Sequence, residues 1–382
     1  MARVVSSFLL CFLVAFCQTL LAPIGCEGGA AARALPRRRY HGHAAFFIFG
    51  DSLLDAGNNQ YLTDNKMGKP ELPYGETYFK NATGRVCDGR IVPDFLAEYA
   101  KLPLIPPYLQ PGFDNYSDGA NFASAGAGVL STTSANLLNL SVQLGYFKEV
   151  DKKLKKQLGD AEARRLVSNA VYLISMGGND YMHYNSLAAN QSVDVTKSPY
   201  SKTYISMVLG NITSVVTELY KMGGRKFGFQ SVGPLGCMPG TKASLLPAGS
   251  RVDCVRGPQW LAKMHNAAFT KALHGLALKL PGFKHALFDY YGAVALRTLY
   301  PKSYGFKVGK SACCGSGAYR GEFTCGGHGG TVKYELCKHP KYYMFFDSAH
   351  PTEAANSQLA ELLWGGSPAV IGPYNLKQLF HQ

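Results

Sequence analysis

Ser52, Asp347 and His350 are the side chains whose types and spacing combine into one chemistry. Ser52 closes the tripeptide Gly50-Asp51-Ser52 at the end of an apolar run, and Asp347 and His350 stand three apart in Phe346-Asp347-Ser348-Ala349-His350-Pro351. A carboxylate at that spacing can hold one imidazole N–H while the other ring nitrogen faces a hydroxyl. A histidine with a pKa of about 6.5 can take the hydroxyl proton and return it. Serine is a weak nucleophile without such a base. Acyl transfer also needs N–H donors aimed at the oxyanion that forms when a carbonyl is attacked. Two glycine-bearing turns offer them, a backbone N–H at Gly126 and a side-chain amide at Asn179. Each motif alone has a plain structural reading: Gly-Asp-Ser favours turns, and D-x-x-H ahead of a helix is an ordinary surface turn. Their joint occurrence points to nucleophilic acyl transfer. His41, His43 and His328 have no comparable partner in the sequence.

For these groups to meet, the elements carrying them must end on one edge. Short, almost wholly apolar runs precede each turn: FFIFG before Ser52, residues 119–124 before Gly126, and residues 170–176 before Asn179. Two more strands are read at 225–232 and 285–290, and helices at 91–99, 137–167, 204–222, 258–280 and 351–364. Continuous apolar strands alternating with helices predict an α/β fold, a three-layer α/β/α sandwich around a five-stranded parallel sheet covered on both faces. In such a sheet the carboxyl ends of the strands share one edge, where ligands bind. The Pro-rich passage 64–118 brings Tyr74, Tyr78, Phe79 and Tyr108, too many aromatics for a linker, and is expected to pack beside the site and shape its mouth. No internal repeat interrupts the pattern.

The 382 residues carry 39 Lys and Arg against 25 Asp and Glu, a formal charge of +14. Such a balance invites a polyanion partner. No module combining basic and aromatic residues on one element is present, so nucleic acid is not indicated. The densest run, Lys152, Lys153, Lys155 and Lys156, falls on a helix whose apolar side is Val142, Phe147, Val150 and Leu154, a solvated face. Weak attraction to an acidic cell wall or membrane surface is the residual expectation. Residues 1–30 have the layout of a secretory signal peptide, with Arg3 ahead of an apolar run and small residues after it. A membrane anchor is the alternative; Gln18, Thr19 and Pro23 interrupt the run, which is short for a span. Residues 31–382 are then one domain, exported to the extracellular space, apoplast or cell wall. Export agrees with sequons at Asn81, Asn115, Asn139, Asn190 and Asn211. It also makes disulfides the reading of Cys237, Cys254, Cys313, Cys314, Cys325 and Cys337. Cys237 with Cys254 closes a local loop, the other four pair among themselves, and Cys87 is either free and buried or paired with Cys26. A zinc site at Cys313, Cys314, Cys325 and His328 is the competing idea, without C-x-x-C spacing.

The blocks Phe49-Gly50-Asp51-Ser52-Leu53 with Asp55 and Gly57-Asn58-Asn59, then GANFASAGAG, GGND, VGPLGC and DSAHPTE, together resemble the plant GDSL-motif esterases/lipases of the SGNH hydrolase superfamily. The resemblance runs over essentially the whole mature length. It implies a flavodoxin-like fold, with Ser52 as nucleophile, His350 as base and Asp347 orienting it. It further implies an oxyanion hole made by the backbone N–H groups of Ser52 and Gly126 with the Asn179 amide. Cys87 departs from it, standing where the related passage has serine. The chain is thus expected to hydrolyse acyl esters: lipid, cutin or wax, acetylated polysaccharide or small-metabolite esters. Acyl transfer to a hydroxyl acceptor, and ligand binding without turnover, are the other readings of the same residues. No metal or cofactor is indicated. G-x-S-x-G and H-E-x-x-H are absent, and residues 305–311, GFKVGKS, fall one residue short of a phosphate loop.

Overall fold

A computed structural model describes residues 42–63, 70–247, 249–250 and 252–382. The expected signal peptide at 1–30, and with it the boundary at residue 31, lies outside the described residues.

The sheet is built from β1 (Phe46–Gly50), β2 (Gly119–Asn121), β3 (Val171–Ser175), β4 (Lys226–Gln230) and β5 (Lys284–Phe288). These are parallel and run in the order β2-β1-β3-β4-β5. Their apolar continuity has a direct cause: alternate residues fill two different cores. Phe47, Phe49, Tyr172, Ile174, Phe227 and Phe229 enter one, while Phe46, Ile48, Val171 and Leu173 enter the other. Between these come α1 (Val92–Tyr99), α2 (Leu140–Leu158), α3 (Asp160–Asn169), α4 (Gly178–Asn190), α5 (Tyr200–Lys221), α6 (Pro239–Leu245) and α7 (Arg256–Lys279). Then follow α8 (Tyr290–Leu299), α9 (Gly327–Gly330), α10 (Glu353–Gly365) and α11 (Leu376–His381). The first core is closed by α2, α3, α4, α5 and α7, the second by α1, α8, α10 and α11. The result is the expected three-layer sandwich.

Some elements differ from the sequence reading, each for a local reason. The sheet gains a sixth strand, Ile371–Pro373, antiparallel to β5. It is three residues long and carries a proline, tolerated because it is an edge strand. The helix read over 137–167 breaks at Gly159, whose φ of 86° ends α2 and begins α3. The helix read over 351–364 starts at Glu353. Pro351 instead bridges to Phe345, and the Thr352 side chain caps α10 by accepting from Ala355 N. The lysine run on α2 is exposed, as read. Residues 308–311 of the phosphate-loop-like stretch lie in the strand Val308–Ala312, so they cannot wrap a phosphate at a helix start.

Disulfides join Cys237 to Cys254, Cys313 to Cys337 and Cys314 to Cys325, and Cys87 is free and buried. The three cysteines of the alternative zinc site are therefore consumed by disulfides. The Cys313 and Cys314 bridges tie together the segment that leads to Asp347.

Candidate active site

The strand β1 delivers Ser52 to the carboxyl edge of the sheet, and the backbone just before it is clamped. Gly50 N–H donates to Gln143 Oε1 at 2.9 Å, and Gln143 Nε2 donates back to Gly50 O at 2.8 Å and to Leu138 O at 2.7 Å. No Cβ fits at Gly50, since one would lie 2.7 Å from Ser175 O. After Ser52 the chain turns, with Leu54 and Asp55 N–H groups both donating to Asp51 O. The polar residues that follow are buried. Asp55 accepts from Gly57 N, Asn58 N and Ala125 N, Asn58 Nδ2 donates to Asn121 O and Ala123 O, and Asn59 Nδ2 donates to Ala125 O. These bonds fasten the loop bearing Gly126 to the loop bearing Ser52.

His350 Nε2 lies 2.7 Å from Ser52 Oγ, and His350 Nδ1 lies 2.7 Å from Asp347 Oδ1. Asp347 is buried and fully engaged. Its Oδ1 also accepts from Ala349 N and His350 N at 2.9 and 2.8 Å, and its Oδ2 accepts from Tyr74 O–H at 2.8 Å. Burial alone would raise the Asp347 pKa, but the His350 charge, its hydrogen bond and the two backbone N–H groups outweigh that and hold it below the ordinary carboxylate value. For His350 the signs reverse. Burial pulls its pKa down, and the Asp347 charge and hydrogen bond, with Asp51 adding to them, hold it above the ordinary imidazole value. Asp51, buried beside Ser52, is pushed up to about 6 by desolvation.

Ser52, Gly126 and Asn179 line one cavity. Among the described residues neither the Ser52 nor the Gly126 backbone N–H has an acceptor. Gly126 takes φ of 80°, the left-handed region that glycine enters without strain. Asn179 is read as part of a turn in the sequence; it stands in the first turn of α4, after Gly177 at φ of 116°. One hydrogen of its amide is anchored on Ala127 O at 2.9 Å, leaving the other for the cavity. Asp180, next in the helix, is buried and accepts from Val129 N, Leu130 N and Thr133 Oγ1, holding the Gly126 loop against α4.

The cavity has a volume of about 250 Å³. Its walls are mostly apolar, with Leu53, Val86, Met176, Val232, Leu235, Met238, Val294, Phe323 and Phe345. Of the aromatics expected at the mouth, Tyr74 reaches the site through Asp347. Tyr78 and Phe79 instead lie under the Arg90 and Arg85 guanidinium groups, and Tyr108 stacks on Tyr146. Gln143 was not legible as a site residue, and Tyr74 was expected at the mouth but not as a partner of Asp347, because these contacts cross sequence gaps of 93 and 273 residues. Asn81, Asn115, Asn190 and Asn211 are exposed, while Asn139 is half-buried and caps α2. Among the described residues no helix is long and apolar enough to cross a membrane.

The profile of the GDSL-like Lipase/Acylhydrolase family matches residues 46–363. The chain is 48% identical over 343 residues to GDSL esterase/lipase 1 of Arabidopsis thaliana, covering 88% of this chain and 90% of that protein. It is 41% identical over 385 residues to GDSL esterase/lipase 5 of the same plant, covering 99% and 96%. It is 45% identical over 343 residues to a GDSL lipase of Tanacetum cinerariifolium, covering 88% of each.

Proposed function

Because the chain belongs to the GDSL-like lipase/acylhydrolase family and is a carboxylic ester hydrolase, we propose that Ser52, His350 and Asp347 perform the hydrolysis through an acyl-enzyme. The observation that carries this reading is the unbroken chain Ser52 Oγ, His350, Asp347, with both links at 2.7 Å. Ser52 Oγ attacks the ester carbonyl as His350 Nε2 takes its proton. The carbonyl oxygen becomes an oxyanion that receives the Ser52 and Gly126 N–H groups and the free hydrogen of the Asn179 amide. Donors of this kind are worth about 10²–10³ each in turnover. His350 then gives its proton to the leaving alkoxide, and the acyl group stays on Ser52. Water, deprotonated by the same imidazole, attacks the acyl-serine and releases the acid.

The apolar walls favour an ester whose acyl group is itself apolar, as in lipid, wax or cutin esters, over an acetylated polysaccharide. The protein acts outside the cell as a glycoprotein, after removal of residues 1–30. Support comes from the leader's layout, the exposed sequons and three disulfides. Its charge of +14 gives it weak, salt-releasable attraction to acidic wall or membrane material. Folded Ser52→Ala protein is expected to lose turnover of a short-chain aryl ester; retained turnover overturns the nucleophile assignment.

A further inference from the structure

We propose that the inner wall of the cavity holds a hydroxyl-reading subsite made by Gln230 and Tyr290, so that the substrate's acyl chain carries a hydroxyl group. The proposal deepens the esterase reading and rests on it for which end of the ester lies there.

Gln230 is the last residue of β4. Phe227 and Phe229 point to the opposite core, so Gln230 lies on the face covered by α1, α8 and α10. It lines the cavity and is only 3% exposed. Its Nε2 donates to Ser175 Oγ at 3.0 Å, while its Oε1 is buried without a partner. Tyr290, the first residue of α8, lines the same cavity at 4% exposure, its ring against Gly233. Among the described residues its O–H makes no hydrogen bond. The wall around them is apolar, with Leu53, Val294 and Phe345. A buried acceptor left unpaired is unfavourable, and evolution or chance rarely leaves one in a native core. Here the missing partner is supplied by what fills the cavity. A hydroxyl suits both groups, donating to Gln230 Oε1 and accepting from Tyr290. An ether or carbonyl oxygen can only accept, which leaves Gln230 Oε1 unpaired.

The acyl end is assigned to this wall because the alcohol has another way out. A second cleft of about 560 Å³ shares Met182, Phe323 and Ser348 with the cavity. Asn185, Thr241 and Glu322 bring polar side chains to its lining, and it can receive a departing alcohol.

The test measures binding of free acids, the products, to the full chain by titration calorimetry, and so needs no turnover. The probes are an unsubstituted medium-chain fatty acid and its monohydroxy positional isomers. At least one isomer is expected to bind about tenfold or more tighter than the parent, the scale of a hydrogen bond to a group otherwise left unpaired. Gln230→Met, and separately Tyr290→Phe, which removes one oxygen only, should each bring that ratio towards one. Isomers that bind no tighter than the parent, absence of acid binding, or a preference that survives both substitutions overturns the proposal. Selective binding of a hydroxy acid whose aryl ester is not hydrolysed through Ser52 would instead refute the nucleophile assignment and leave the subsite standing.

Discussion

Replacing Asp347 by asparagine separates the two things its carboxylate does, orienting the imidazole and lending it charge. Four donors converge on it: Ala349 N–H, His350 N–H, His350 Nδ1–H and Tyr74 O–H. An asparagine whose oxygen takes the Oδ1 position keeps both backbone bonds, so the loop stays in place. Its NH2 then stands where Oδ2 accepted from Tyr74 and from Nδ1 at 2.9 Å. The oxygen kept at Oδ1 also lies 2.7 Å from Nδ1, so it competes with the new NH2 for that ring nitrogen; a ring that turns to the NH2 carries its proton on Nε2, which points at Ser52 Oγ 2.7 Å away. The hydroxyl loses its acceptor, and kcat at neutral pH should fall about 10⁴-fold, as such tautomer reversal does in serine hydrolases.

The same substitution removes the charge that opposes burial at His350. Burial then dominates, and the imidazole pKa drops from above its ordinary value to below it. A base works when neutral, so activity is lost as pH falls through that pKa. The acid limb of kcat/KM therefore moves to lower pH in the variant, even as the plateau collapses. The assay is hydrolysis of a soluble aryl ester across the acid-to-alkaline range, with circular dichroism as the folding control. A loss smaller than about tenfold, or an acid limb that stays put or moves up, would refute the reasoning.

Gln143→Leu should act on stability and rate together. It leaves Gly50 N–H and Leu138 O buried without their partner, at about 1–3 kcal/mol each, so the denaturant midpoint should fall; a midpoint equal to the parent's contradicts the clamp. Tyr74→Phe removes one donor to a buried carboxylate, a bond worth about 1.5–3 kcal/mol. The expected effect is a kcat lowered about tenfold or more with KM little changed, measured with the same aryl ester, and a changed KM at constant kcat would place Tyr74 in binding instead.

The fold was legible because burial on both faces writes itself into sequence as uninterrupted apolar runs. FFIFG, VYLIS and KFGFQ each feed two cores at once. The candidate groups stood out too: Ser52, Gly126 and Asn179 follow strands at glycine-marked turns, and Asp347 and His350 precede a helix. What holds them was not. Asp55, Asn58 and Asn59 have the composition of a solvent-exposed turn, yet they are buried and spend their polar groups on the backbone of residues 121–125. Gln143 stands on the buried side of α2 with Leu140, Leu144 and Phe147, and its bonds to Gly50 and Leu138 explain it. Tyr74 and Asp347 are 273 residues apart, and nothing local in either segment marks the pair. Contacts of that range depend on how the sheet edge gathers its loops, which one-dimensional periodicity does not encode.

The most direct measurement is the mass of the peptide containing Ser52 after brief exposure of the intact protein to a fluorophosphonate ester. The site described here predicts a single phosphonyl adduct on Ser52, formed rapidly in the parent and at least about 10³ times more slowly in His350→Ala. An unmodified Ser52 in an enzyme that still hydrolyses esters, or labelling that does not depend on His350, would contradict it.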